Sequence, residues 1–487
     1  MRRPASRVLL LALLLAGTPC LAQGMRLTGV TVARYAALRP FVDDSVSAAL
    51  AVAPFGLYRR TAEGTVVRCT PSQPFCYFQR QTDRVLATAP LTQDLEAVAW
   101  GLGEGVSAHA HVRARSTLGG ERGLWPRAGD RFDVLDAYAE LDRPRLRARA
   151  GRLWTASGLG VYNFDGASLL VRPRQSLSGE LFGGWALARG LSERRTDAEI
   201  GAVDELAPDD PGYVMGAELR ARPARRAAVA ARYQREIRRD RAGLFSERAS
   251  ADAVVRLGRA SSVDGEVVHN LASGQVEEAR LRGRYRRWER VGVSAELRRH
   301  RPFFELWTIW GAFSPVAFDE ARADATWEGP LLAGGASLDV RAGYRRYGEP
   351  AAGLAGSPMH DDGWRVGAGA TWRARAGWTV YGAYDLEAGF GASRSDGDAG
   401  VRREIGRDAF LGARATAFQT VYEFRLGRSR VVGAGLEGGL RLPGDVRLVG
   451  DATLYRHRLR NADLAVPDWS QTRATVSLEW TVGWGVE

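Results

Sequence analysis

Residues 364–376, WRVGAGATWRARA, decide the fold, because two kinds of side chain alternate along them without a break. In an extended chain, the face of Trp364 carries tryptophan, valine and alanine, and the face of Arg365 carries arginine, glycine and threonine. Residues 474–484 repeat this alternation, and residues 94–115 carry it over a longer stretch. Strands of soluble sandwiches usually run to about five or six residues. Runs of about ten residues or more match the tilted strands of an outer-membrane barrel.

The connections between these segments give a second, independent indication. Short turns are predicted near 142–144, 172–174, 222–224, 260–262, 288–290, 329–330, 376–377 and 443–445, most of them marked by Pro, Gly or Ser. Longer or more polar connections alternate with the short ones, and the longest covers residues 391–428. Outer-membrane barrels have short periplasmic turns and longer external loops. The sequence therefore predicts an all-β fold, a single large antiparallel transmembrane β-barrel over residues 94–487. We expect about 18 strands, within a range of roughly 16 to 20.

The N-terminus predicts export. Residues 1–22 hold Arg2, Arg3 and Arg7, then an apolar stretch, then small residues before Gln23. This is the layout of a secretory signal peptide, and the apolar stretch is too short to span a bilayer. We expect the exported chain to reside in the outer membrane of a Gram-negative (diderm) bacterium, in contact with its lipid.

Residues 23–93 differ from the rest. They hold several prolines and two cysteines, Cys69 and Cys76. An exported chain meets an oxidising compartment, so we predict a disulfide between them. We expect a small N-terminal region here, on the periplasmic side or in the barrel mouth.

The composition excludes several kinds of chemistry. The 68 basic residues are all arginine, so there is no lysine for a Walker A motif or a Schiff base. Neither a G-x-S-x-G elbow nor an H-E-x-x-H motif is present. His109 and His111 share a strand face, but no third metal ligand is evident. We therefore predict no enzyme activity, no catalytic residue, no cofactor and no metal. The signal peptide and the two-residue spacing of the arginines argue against nucleic-acid binding.

A local motif links two neighbouring segments. Gly151-Arg152 ends one strand, and Phe164-Asp165-Gly166-Ala167 opens the next across a predicted loop at 156–165. The pair resembles porin-like outer-membrane barrels that include the alginate-export family, although Leu153 stands where that family usually has Gln. The resemblance covers about thirty residues. It implies a barrel of about 18 strands and passage of small anionic solutes or an acidic polymer.

Arginines recur at every second position in several segments. Because a charge on the lipid-facing side costs about 2–4 kcal/mol at mid-bilayer, we expect these arginines to line the lumen or lie near its rims. In that position they would favour anions. The alternative is pairing with inward acids such as Glu180 and Glu278, which would leave a nearly neutral wall. The pore-lining candidates are Arg113, Arg115, Arg145, Arg147, Arg149, Arg280, Arg282, Arg284, Arg286, Arg365, Arg373 and Arg375.

One predicted connection, 300–317, is unusually apolar. Three interpretations remain open: a loop folded into the lumen as a constriction, a contact in a homo-oligomer or with lipid, or part of a misplaced strand. The constriction candidates are Phe303, Phe304, Trp307, Trp310 and Phe313.

These observations together favour an outer-membrane channel or porin that passes small, anionic solutes passively through an arginine-lined lumen. One alternative is an exporter or importer of an acidic polysaccharide. Another, of a different class, is a closed structural or adhesive barrel that binds partners through its external loops.

Overall fold

A computed structural model of the chain describes most of its length. The described residues are 22–55, 58–70, 73–121, 131–157, 159–188, 212–238, 244–288, 290–301, 317–332, 334–348, 362–389, 392–422, 429–459 and 468–485. The predicted signal peptide therefore lies almost wholly outside the described residues.

Within these ranges the chain forms 27 strands and one short 3-10 helix, Ala48–Leu50. In chain order the strands are β1 (Gly24–Leu38), β2 (Phe41–Ser47), β3 (Ala53–Phe55), β4 (Tyr58–Arg60), β5 (Val66–Cys69), β6 (Phe75–Gln81), β7 (Leu86–Gly103), β8 (Val106–Gly120), β9 (Arg131–Arg143), β10 (Leu146–Ser157), β11 (Gly160–Arg174), β12 (Leu177–Ala188), β13 (Gly212–Ala224), β14 (Ala227–Arg238), β15 (Leu244–Arg256), β16 (Ser261–Asn270), β17 (Gln275–Trp288), β18 (Val291–His300), β19 (Phe318–Leu331), β20 (Gly334–Tyr347), β21 (Asp362–Ala374), β22 (Trp378–Gly389), β23 (Ala392–Ile405), β24 (Ala409–Tyr422), β25 (Ser429–Leu442), β26 (Val446–Leu459) and β27 (Trp469–Trp484).

Twenty-two of these strands form one closed antiparallel sheet. Strands β7 to β27 each pair with the next strand along the chain, and β1 pairs with both β7 and β27. At the closure, Thr28 of β1 faces Thr481 of β27, with the two hydroxyl oxygens 3.4 Å apart. A closed sheet has no unpaired edge, which is the condition for spanning a bilayer with strands.

The ring has four more strands than the 18 expected, for three reasons. Strand β1 mixes valine with arginine and threonine on one face and leucine with threonine and alanine on the other, so its polarity hardly alternates. A turn at residues 104–105 divides the 94–115 stretch into β7 and β8. Across this turn, even-numbered residues of β7 lie on the same face as odd-numbered residues of β8. The stretch 391–428, expected to be a loop, contains β23 and β24 around a turn at 406–408.

The two ends of the barrel differ in the length of their connections. At one end, the short-turn end, the connections are 104–105, 144–145, 175–176, 225–226, 257–260, 289–290, 332–333, 375–377, 406–408 and 443–445. The opposite end, the long-loop end, carries the longer connections, among them 189–211 and 301–317. Strand β1 begins and β27 ends at the short-turn end.

The segment between β1 and β7 forms a separate small sheet in the order β2-β6-β5-β4-β3. It carries a disulfide between Cys69 and Cys76, whose Cα atoms are 4.3 Å apart. Because β1 runs away from the short turns, this sheet lies at the long-loop end. The barrel begins at Gly24, so an N-terminal region ending at residue 93 does not describe the architecture.

Apolar side chains point outwards from the barrel. Exposed large apolar side chains number 49 among the described residues, whereas only 14 apolar residues are buried. Along β20, for example, Leu338, Val340 and Tyr344 are each 44–52% exposed on one face. This inverted distribution suits a protein surrounded by lipid. None of the helical structure that is described is long and apolar enough to cross a membrane.

One small apolar cluster lies on the inner side. Leu153, Phe164 and Val214 are buried together, and Phe182 stacks on Phe164 with ring centroids 5.6 Å apart. This cluster packs against the concave side of β10 to β13.

Candidate functional site: the lumenal wall

Strand β17 shows how the inner and outer faces are divided. Leu281 is 52% exposed on the convex outer side, and Arg280, Arg282 and Arg284 occupy the alternate positions. The arginines meet carboxylates on β16, at 3.0 Å for Arg280 with Glu266 and at 3.1 Å for Arg284 with Asp264. The charged face is thus the concave one, and it lines the lumen.

Most of the sequence-predicted arginines have a carboxylate partner. The nitrogen–oxygen distances are 2.7 Å for Arg113 with Asp94, 2.7 Å for Arg115 with Asp133, 3.4 Å for Arg147 with Asp142, 2.9 Å for Arg149 with Glu180, 3.3 Å for Arg286 with Glu328 and 3.2 Å for Arg365 with Glu387. The pairing that the sequence left open as an alternative is therefore widespread in the wall.

Four of the predicted arginines have no ion pair within 4.0 Å among the described residues. Arg145 and Arg375 lie in short turns rather than on strands, and Arg373 lies at the same end of β21. Arg282 is within β17, between the paired Arg280 and Arg284. The ladders are therefore interrupted, and their free charges gather towards one end of the barrel.

Glu320 is the most buried carboxylate among the ion pairs of the described residues, and it is the centre of a small network. Its side chain is 3% exposed and lies 3.2 Å from Arg345 and 3.5 Å from Arg365. Glu387 bridges the same two arginines at 2.7 and 3.2 Å. Arg345 also stacks over Phe318, 4.3 Å from the ring centroid. Strands β19 to β22 are thus held together by four charges whose positions are mutually fixed.

The middle of the wall is close to neutral. The lumenal faces of β16 to β20 carry eight arginines and an equal number of carboxylates. The arginines are Arg280, Arg282, Arg284, Arg286, Arg298, Arg322, Arg341 and Arg345, and the carboxylates are Asp264, Glu266, Glu278, Glu296, Glu320, Asp324, Glu328 and Asp339. A continuous arginine-lined lumen is therefore not what these strands form.

The short-turn end is strongly basic. The ten short turns, taken with two residues on either side of each, contain 15 arginines and six acidic residues. The excess of nine charges is most of the formal net charge of +12 of the whole chain. We call this region the basic mouth. It includes Arg225, Arg226 and Arg259, which are exposed and have no ion pair within the described part of the chain.

All the ion pairs named above join strands that are adjacent or one strand apart. Arg149 of β10 reaches Glu180 of β12, and Arg365 of β21 reaches Glu320 of β19. The charged side chains therefore run along the wall instead of crossing the lumen.

The Gly-Arg and Phe-Asp-Gly-Ala motif has a structural explanation. Arg152 and Asp165 face each other across β10 and β11 and form two hydrogen bonds, of 2.8 and 3.0 Å. Gly151, Gly166 and Gly184 form a row across three strands. Only two residues, 158–159, connect β10 to β11, so the expected loop at 156–165 is mostly strand.

The two histidines of β8, His109 and His111, contact different neighbours. His111 lies between Asp94 and Asp136, at 3.5 and 3.7 Å, and His109 stacks on Tyr138 with ring centroids 4.7 Å apart. The described residues contain no group of three or more side chains placed to hold a metal ion.

Sequence reasoning missed the acids that organise this wall, above all Glu320 and Glu387. Each sits among alternating residues like any other inward acid, and only the strand register reveals its partners. The constriction candidates Phe303, Phe304, Trp307, Trp310 and Phe313 lie outside the described residues.

Comparisons with known proteins give only distant likeness. No protein-family model and no curated protein matches the chain. Among solved structures, OpdQ of Pseudomonas aeruginosa is similar at 9% identity over 94% of this chain and 98% of that chain, with a TM-score of 0.43. The BenF-like porin of Pseudomonas fluorescens shares 10% identity over 94% of this chain and 99% of that chain, with a TM-score of 0.43. Pseudomonas aeruginosa opdK shares 10% identity over 94% and 99%, with a TM-score of 0.42. None of these three carries the alginate-export name, so that finer resemblance rests on the local motif alone.

Proposed function

We propose that this chain is an outer-membrane channel through which small solutes, preferentially anions, diffuse passively. The observation that carries the proposal is the combination of a closed 22-stranded ring with one basic mouth. The anion preference arises at that mouth rather than from a ladder along the whole lumen.

The character of the wall supports passive diffusion. Most of its charged groups already pair with one another, as in the network of Glu320, Arg345 and Arg365. A solute passing such a wall meets water and paired ions, without a dedicated set of unpaired ligands. Polar interiors of this kind accompany water-filled lumens in outer-membrane barrels.

The charge distribution supports the preference for anions. Exposed cations act over about 8 Å at physiological ionic strength, so neighbouring turns of the basic mouth reinforce one another. A recess of about 560 Å³ leads from this end into the wall, lined by Arg259, Arg282 and Arg284 among others. A positive entrance raises the local concentration of anions and their entry rate.

The test removes three exposed arginines from the basic mouth by the substitutions Arg225→Ser, Arg226→Ser and Arg259→Ser. The purified triple variant is compared with the unchanged protein in planar bilayers across a potassium chloride gradient. We expect the unchanged channel to show a reversal potential of anion-selective sign. We expect the variant to shift measurably towards zero, because the local field at the entrance falls.

A matched control removes three exposed arginines at the other end, by Arg59→Ser and Arg68→Ser in the small sheet and Arg84→Ser between that sheet and β7. This control should leave the reversal potential nearly unchanged. Equal shifts from both triples, or none from either, would contradict a selectivity set by the basic mouth. Absence of any conductance would favour a closed structural barrel. Block of conductance by an acidic polysaccharide at low concentration would favour polymer transport.

A further inference from the structure

The outer surface of the barrel has a groove that crosses eight strands. Its volume is about 1030 Å³, and it extends from β13 to β20. It follows two neighbouring rows of residues that are matched in register. One row is Leu219, Ala231, Ala251, Val267, Ala279, Arg299, Asp319 and Arg346, and the other is Ala221, Val229, Ala253, Gly265, Leu281, Leu297, Ala321 and Tyr344.

Residue size explains the shape of the groove. Its floor is mostly alanine and glycine, and its walls include Leu281, Leu297 and Tyr344, which are 52–59% exposed. Large side chains beside a strip of small ones leave a channel on the lipid-facing surface. A flexible hydrocarbon chain fits such a channel and gains dispersion contacts along its length.

At the long-loop end of the barrel, the groove ends at charged side chains. Leu219 is the eighth residue of β13 counted from the long-loop end, whereas Arg346 is the second-last residue of β20 at that same end. The rows therefore rise from mid-barrel to the rim. Arg299 there bonds Asp319 at 2.7 and 3.1 Å, and both side chains are about half exposed.

The rim has unused donors. Arg346 is exposed and has no ion pair within 4.0 Å among the described residues, although Asp362 is its register partner on β21. Exposed Arg301 also lies near enough to act electrostatically on Asp319. A guanidinium carries five N–H donors, so Arg299 keeps donors beyond the two that Asp319 accepts. Three arginines thus outnumber the two acids at this point.

We propose that this groove binds lipopolysaccharide of the outer leaflet. An acyl chain of its lipid A lies along the alanine floor, and a lipid A phosphate meets Arg346 and Arg299. The long-loop end of such barrels faces outwards, so the arginines stand at the level of the outer-leaflet headgroups. Arginine suits this role because its planar fork matches two phosphate oxygens. The site is independent of the proposed channel activity.

The experiment titrates diphosphoryl lipid A into the full-length protein in detergent and counts bound lipid by native mass spectrometry. Arg346→Ser combined with Arg301→Ser should weaken binding about tenfold or more, since one phosphate donor and a neighbouring positive charge are lost. The matched control is Arg403→Ser, which also removes an outward arginine but at the short-turn end, where it lies 4.9 Å above Trp378. The control should bind lipid A like the unchanged protein.

Further measurements test the apolar floor of the groove separately from its arginines, and compare lipid A with other lipids. Ala321→Trp fills the floor of the groove while every arginine is kept, and it should also weaken binding. Lipid A lacking its phosphates should bind the unchanged protein about as weakly as diphosphoryl lipid A binds the arginine variant. Equal binding by all variants would overturn the proposal. Phosphatidylglycerol that competes as strongly as lipid A would overturn the assignment to lipopolysaccharide.

Discussion

At the scale of single residues, the lumenal wall is organised by the partners of its arginines. Glu320 is nearly inaccessible and serves two arginines, whereas Glu328 pairs with Arg286 in the open, at 64 and 62% exposure. Removing a buried carboxylate like Glu320 leaves its arginines without a partner where water cannot replace it, so the loss of stability should be larger than at the exposed Glu328.

Replacing Glu320 with Gln should therefore destabilise the barrel. The amide keeps the shape but loses the charge that Arg345 and Arg365 face, and Glu387 compensates in part. We expect a loss of about 1–3 kcal/mol in the free energy of unfolding. Reversible unfolding in urea, with the protein in lipid vesicles, measures it.

The control for this change is Glu328→Gln, where an exposed pair is removed. Its effect should be between about 0 and 1 kcal/mol. If the two variants lose the same stability, burial is not what gives the Glu320 network its importance.

The sequence could predict at this scale which residues are charged and face inwards, but not which of them remain unpaired. The ladder Arg280 to Arg286 shows why. Alternation places all four arginines on one face, and the register with β16 sets Asp264 opposite Arg282, but its carboxylate pairs with Arg284 instead. Register depends on the whole ring, which local patterning does not contain.

At the scale of strands, glycines decide how closely β10, β11 and β12 approach. A Cβ on Gly166 would lie 2.1 Å from the carbonyl oxygen of Gly183 and 2.7 Å from the Cα of Gly184. Such contacts involve backbone atoms that cannot rotate away, so the strands themselves would have to shift.

Gly166→Ala should accordingly lower the yield of assembled barrel. The measurement is the fraction of protein that shifts in electrophoretic mobility on heating, the usual sign of a folded outer-membrane barrel. Gly283→Ala on β17 is the matched control, because a Cβ there meets nothing within 4 Å. Equal yields from the two variants would show that the close approach at Gly166 is unimportant.

The closure of the ring by β1 gives a second prediction at this scale. Cysteines introduced by Thr28→Cys and Thr481→Cys face each other in register, so oxidation should join them. Antiparallel partners lie at Cα separations of about 4.5–5.5 Å, which a disulfide accepts. Mass spectrometry of a digest detects the link.

The matched control pairs Thr28→Cys with Ser477→Cys, which faces Val32 four residues further along β1. This pair should stay reduced. Efficient linkage of the control, or none at Thr481, would contradict a barrel in which residues 24–38 form a wall strand.

Strand type and direction were predictable where the alternation is strong, as in residues 364–376, which lie almost wholly in β21. The number of strands was not. In β1 both faces mix apolar and polar residues, and in 391–428 the largely polar β23 resembles a loop and hides the pair that it forms with β24. Sequence periodicity detects a difference in polarity between the two faces of a strand, so a strand whose faces differ little in polarity is not recognised.

At the scale of the whole molecule, charge is separated along the barrel axis. The basic mouth holds an excess of nine positive charges, and the lumenal faces of β16 to β20 are balanced. The composition alone gives the sign of the net charge but not its place. The function we propose depends on that place, because a charge influences selectivity mainly at the entrance it surrounds.

Single-channel recording in a planar bilayer tests the account most directly. The folded barrel, inserted without any partner, should produce discrete conductance steps, because the function we propose requires a polar, water-accessible passage inside the closed sheet. Correctly folded, heat-modifiable protein that inserts but never conducts would contradict it.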